Sequence, residues 1–70
     1  MIMCAEIIGV ENGRLMVTDY STQQEVAVNT RCLNFKKGEK VKIYHNGIMT
    51  MSLPPQICAY SIVRVREDHA

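Results

Sequence analysis

Tryptophan is absent from the chain, phenylalanine occurs once, and aromatic residues make up 6% of its 70 positions. A groove for single-stranded nucleic acid usually stacks several rings, so the composition gives such a groove little to work with. Charge of one sign is missing too. Eight Lys+Arg face seven Asp+Glu, for a formal net charge of +1, which is not the globally basic balance of a dedicated nucleic-acid binder. No apolar run approaches the roughly 20 residues that span a bilayer. Residues 1–6 lack a basic stretch and are broken by Glu6, so they read as a first strand and not as a signal peptide. No membrane partner is expected.

The three cysteines, Cys4, Cys32 and Cys58, are an odd set without CxxC or CxxxH spacing. They point to reduced thiols in a cytoplasmic protein, and free cysteines are expected as small buried hydrophobes. There is no glycine-rich phosphate loop. The carboxylates of Glu6, Glu11 and Glu25 are scattered, and neither His45 nor His69 has a cysteine beside it in the sequence. His45 borders the Asn46-Gly47 turn, where an exposed side chain is expected. A nucleophile needs a base within hydrogen-bond reach, itself oriented by a third group. The expectation is a protein that is not an enzyme and holds no cofactor. Met1, Met3, Met49, Met51, Cys4 and Cys58 offer soft sulfur of the kind Cu(I) prefers, but a methionine stripe on a strand reads as core filler, and no metal is expected.

What the chain does contain is short β-rich runs between regularly spaced turn signals. Strands are expected over 2–10, 14–20, 25–30, 39–44, 48–53 and 57–66. Asn12-Gly13 and Asn46-Gly47 are both strong hairpin signals, because a type I′ turn needs φ > 0 at both central residues. By period-two alternation Leu15 and Val17 share one face, opposite Met16 and Thr18, Val26 and Val28 face the same way, and Val41 and Ile43 share a face that can join a core. Residues 31–35 form an irregular or one-turn helical connection, with Leu33 and Phe35 anchoring it to the core. Pro54-Pro55 ends a strand, since neither residue can donate to a ladder. Five to six short antiparallel strands in so small a chain predict an all-β, OB-like barrel, because closure removes exposed edges. The domain covers residues 1–66, and 67–70 form a polar tail.

The segment 35–44 concentrates the positive charge. Gly38 suits a tight turn; beyond it Lys40, Lys42 and Tyr44 alternate outward. If the last strand is a neighbour, Arg64, Arg66 and Tyr60 join them, with Lys36 and Lys37 on the rim. That face predicts weak, salt-sensitive affinity for single-stranded nucleic acid or another anionic partner, because neutralising phosphates releases counterions. The other reading of the same residues is a solvated edge strand, where lysine discourages aggregation. A second candidate surface is the apolar run Ile48, Met49, Met51 and Leu53, which would serve a protein partner or a homo-oligomer.

Phe35-Lys36-Lys37-Gly38-Glu39-Lys40-Val41-Lys42-Ile43, Asn46-Gly47, and Ser52, Pro54 and Gln56 together resemble a family of small bacterial proteins of unknown function, some of them lipoproteins. The family's usual run ahead of the last strand is Ser-Tyr-Pro-Ala-Gln; Leu53 stands here for the tyrosine and Pro55 for the alanine. The match covers residues 35–56. The resemblance implies an OB-like barrel and no activity. The Gly38–Ile43 run also looks like a strand of bacterial translation initiation factor one, without that factor's dense basic charge.

Overall fold

A computed structural model describes residues 1–65. Its five strands are β1 (Ile2–Glu11), β2 (Arg14–Asp19), β3 (Glu25–Asn29), β4 (Lys40–His45) and β5 (Gln56–Arg64). They close into a barrel in the order β1-β2-β3-β5-β4, an all-β, OB-like arrangement. Each of these strands lies within two residues of its expected limits. Arg66 and the tail with His69 lie outside the described residues.

The first hairpin forms as its sequence requires. Asn12 and Gly13 both have positive φ, 52° and 73°, and the turn joins Glu11 to Arg14 in register. The second hairpin signal fails for a local reason. Gly47 has φ 87°, but Asn46 is not among the residues with positive φ, so the type I′ pair is incomplete. Asn46 instead accepts a hydrogen bond at Oδ1 from the Ile48 amide (3.0 Å), and the His45 ring accepts one at Nδ1 from the Gly47 amide (3.1 Å). His45 is buried on the inward face of β4, not exposed as its turn position suggested.

Residues 48–53 do not return as a strand. They belong to a ten-residue loop, 46–55, after which β5 pairs with β4 from Ala59 opposite His45. The loop is tied by its own polar groups: the Thr50 amide donates to Gln56 O, the Gln56 amide to Thr50 Oγ1, and Ser52 Oγ to Pro54 O. Its far end is held by the Ala27 amide donating to Pro55 O.

Not all pairs are antiparallel. β3 and β5 run parallel over three positions, Ala27–Gln56, Val28–Ile57 and Asn29–Cys58. The connection from β3 to β4 carries no helical turn; it is irregular, with Leu33 and Phe35 partly buried against the core. Inside the barrel, Met3, Ala5, Ile7, Leu15, Val17, Val26, Val28, Val41, Ile43 and Ile57 form one buried cluster. Met49 and Met51 are not part of it. The cysteines depart from expectation as well: Cys4, Cys32 and Cys58 are free and all exposed, because each falls on an outward-facing or linker position. No helix among the described residues is long and apolar enough to cross a membrane.

Ile7 and Ile43 have no solvent-exposed surface. Ile7→Val is expected to cost about 1 kcal/mol, and Ile43→Ala about 2–5 kcal/mol. A domain of this length holds only roughly 4–10 kcal/mol in total. Urea unfolding followed by circular dichroism measures both, and an unchanged midpoint for Ile43→Ala would contradict this core.

Candidate functional site

β4 builds the basic face by simple alternation. Val41, Ile43 and His45 point inward and are buried, while Lys40, Lys42 and Tyr44 point outward and are exposed. Its two neighbours decide what surrounds them. On β1, Ile2 lies opposite Tyr44, Cys4 opposite Lys42 and Glu6 opposite Lys40. On β5, Ser61 lies opposite Tyr44 and Val63 opposite Lys42. Directly opposed residues share a face of the sheet, so the lysines stand among a carboxylate, a thiol and apolar side chains. Tyr20 joins this face by donating its hydroxyl to Glu6 Oε1 at 3.2 Å. Its pKa lies above the usual phenol value, chiefly from desolvation and then from the hydrogen bond and charge of Glu6.

β5 is the expected neighbour of β4, but Arg64 is not on the shared outer face. The register shifts between Tyr44 and His45. That bulge places one extra β5 residue, Tyr60, between Ser61 and Ala59, and so reverses the parity of everything after it. Arg64 therefore lies opposite inward-facing Val41. Its guanidinium sits 4.5 Å from the centroid of the Phe35 ring. Nε donates to Glu39 Oε2 at 2.6 Å, and Nη2 donates to Asn34 O. Glu39 also accepts from the Lys36 amide through Oε1, at 2.6 Å. Arg64 thus clasps the barrel end, its guanidinium engaged by Glu39, Asn34 and the Phe35 ring. Lys36 and Lys37 remain exposed in the turn beside it.

The face of strands 2 and 3, with the β1–β2 and β4–β5 loops, is where OB-folds bind their ligands. Here a shallow groove of about 310 Å³ is lined mainly by the second half of β1, Ile8 to Glu11, with Met16 of β2 and Glu25 of β3. Its charged residues, Glu11 and Glu25, are acidic, and the β4 lysines do not line it.

A larger cleft, about 620 Å³, opens between residues 29–32 and the β5 segment 59–62. Nothing in the sequence points to it, because it exists only where the short β3–β5 ladder stops.

The loop 46–55 displays the most exposed apolar side chains. Met51 is 99% exposed, Leu53 92%, Ile48 69% and Met49 38%. Met1 flanks it: Met1 pairs with His45 by two backbone bonds, and its side chain lies against Gly47, where an added Cβ would come within 2.5 Å of the Met1 sulfur. Ile2 and Tyr44, also exposed, continue the patch on the barrel wall.

No family model, curated protein or solved structure matches the chain.

The clasp has a pH signature. Glu39 has its pKa lowered, first by the Lys36 amide hydrogen bond and then by the hydrogen bond and charge of Arg64. A carboxylate more acidic when folded contributes stability above its unfolded pKa and loses it as pH falls through the folded value. Wild-type protein is therefore expected to lose stability on acidification below the ordinary glutamate range, and Glu39→Gln to lose that part of the dependence. Urea midpoints measured across the acidic range check this. Parallel profiles for the two proteins would refute it.

Proposed function

We propose that the protein is a non-enzymatic interaction module that associates with a second copy of itself through the β4–β5 loop. The observation that carries this reading is the exposure of Ile48, Met51 and Leu53 on a loop braced by its own hydrogen bonds. Contiguous exposed apolar surface marks contact sites, and a domain this small gains from oligomerisation. A net charge of +1 gives little repulsion between copies. His45 is engaged in its own turn, which leaves it unsuited to activating a thiol. We further place the chain with the small bacterial barrel proteins that residues 35–56 resemble, and its three exposed thiols suit a reducing cytoplasm.

A second reading has its own support. Lys42 and Tyr44 stand outward on β4 with Lys36 and Lys37 in the adjoining turn, and this surface suits an anionic partner such as single-stranded nucleic acid.

Light scattering on a concentration series decides the first reading. Wild-type protein is expected to shift from monomer towards dimer as concentration rises. Met51→Ser combined with Leu53→Ser is expected to stay monomeric, with its unfolding free energy within about 0.5 kcal/mol of wild type. A strictly monomeric wild type at about 1 mM, the weak limit of the affinity scale, sinks the proposal. Titration of labelled single-stranded RNA at two salt concentrations tests the second. Binding is expected at low salt, to weaken at high salt, and to fall with Lys42→Ala; no binding at low salt removes it.

A further inference from the structure

Strand β5 is paired unequally on its two edges. Against β4 it pairs from Ala59 to Arg64. Against β3 it pairs only from Gln56 to Cys58. Beyond Cys58, β3 has ended and the chain turns away through Thr30 and Arg31, with the Cys32 amide donating to Thr30 Oγ1. No residue of the β3–β4 connection pairs with 59–62 among the described residues. The cleft of about 620 Å³ lies along that edge. A strand edge without a neighbour presents its alternate N–H and C=O groups outward, ready to pair with another extended backbone.

We propose that this edge is a β-addition site that accepts a short extended peptide segment bearing a carboxylate side chain, in a position separate from the loop surface described above. The chemistry of the cleft supports each part. Successive residues of an extended strand rise about 3.3 Å, so an edge of this length suits a segment of about four residues. Ala59 and Ile62 contribute partly buried apolar surface to the wall, which suits β-branched side chains of the added strand. Arg31 is exposed at the opposite wall, and no carboxylate lines the cleft. A guanidinium in that setting selects an acidic side chain through paired N–H donors. The bulge at Tyr60 bends β5 and interrupts the flat edge that a second full-length strand would need, which favours a short segment over edge-to-edge pairing of two copies.

Amide hydrogen exchange by NMR on the full chain reads this directly. In the free protein, alternate amides between Ala59 and Ile62 should exchange about tenfold or more faster than those bonded to β4. The probe is a capped peptide of threonine, valine, glutamate, valine and threonine, at about 1 mM to match a weak site. It should slow the fast amides about fivefold. Its counterpart with N-methylated backbone should not, because the ladder donors are gone, and a counterpart with lysine for glutamate should protect less. Arg31→Glu, an exposed substitution that leaves the unfolding midpoint in place, should reverse the preference between the glutamate and lysine peptides. Uniformly slow exchange over 59–62 in the free protein overturns the proposal. So does failure of the glutamate peptide to protect these amides. Protection that rises with protein concentration, without peptide, assigns the edge to a second copy and also overturns it. A glutamate preference that survives Arg31→Glu overturns the role given to Arg31.

Discussion

Closure of the ring depends on β1 serving two partners in turn. Its first half pairs with β4 from Ile2 to Glu6, and its second half pairs with β2 from Ala5 to Glu11; Ala5 and Glu6 stand in both ladders, and backbone bonds from Tyr20 to Cys4 and between Ile7 and Gly38 and Glu39 widen the overlap. The register shift between Ile7 and Gly9 bends the strand as it passes from one ladder to the other. Few strands leave a narrow interior. The fully buried side chains are accordingly Ile, Leu and Val, with Ala5 beside them. The single phenylalanine does not enter. Phe35 closes the end of the barrel instead, with Arg64 laid over its ring and Glu39 fixing the guanidinium.

That end closure also limits what the surface can do. Arg64 serves at once as a cover for an aromatic ring and as a donor to Glu39 and to a linker carbonyl. A planar fork suits all three tasks, which a lysine ammonium could not perform together. The outer face of β4 carries Lys40, Lys42 and Tyr44 without Arg64. The loop 46–55 lies where β4 meets the residues around Met1, and there the apolar surface gathers.

The strands were legible because period-two alternation is enforced by burial. Val41 and Ile43, Leu15 and Val17, and Val26 and Val28 each share a face, and all six are buried; on β2 and β3 the residues between them, Met16 and Ala27, are buried as well, so alternation is clean only on β4. The Asn12-Gly13 turn was legible because two adjacent residues favouring positive φ leave few alternatives. Asn46-Gly47 carries the same pair, but the side chains of Asn46 and His45 compete for the turn's own amides. The loop that followed was read as a strand because Ile48, Met49, Met51 and Leu53 are apolar, and apolarity does not distinguish core from displayed surface. The face assigned to Arg64 failed for a register reason: a single extra residue at Tyr60 inverts all later side chains, and no residue type announces a bulge. The cleft beside β5 was invisible for a related reason, since it depends on a parallel ladder that stops after three positions.

Glu11 and Glu25 border one groove, but Arg14 lies opposite Glu11 in the β1–β2 ladder, and Glu6 lies opposite Lys40 in the β1–β4 ladder. Charges of both signs are therefore interleaved around the ring, in keeping with a net charge of only +1. A partner approaching such a surface meets no extended field of one sign to steer it. Orientation is then settled at contact, where the exposed apolar side chains of the 46–55 loop stand out from their polar surroundings.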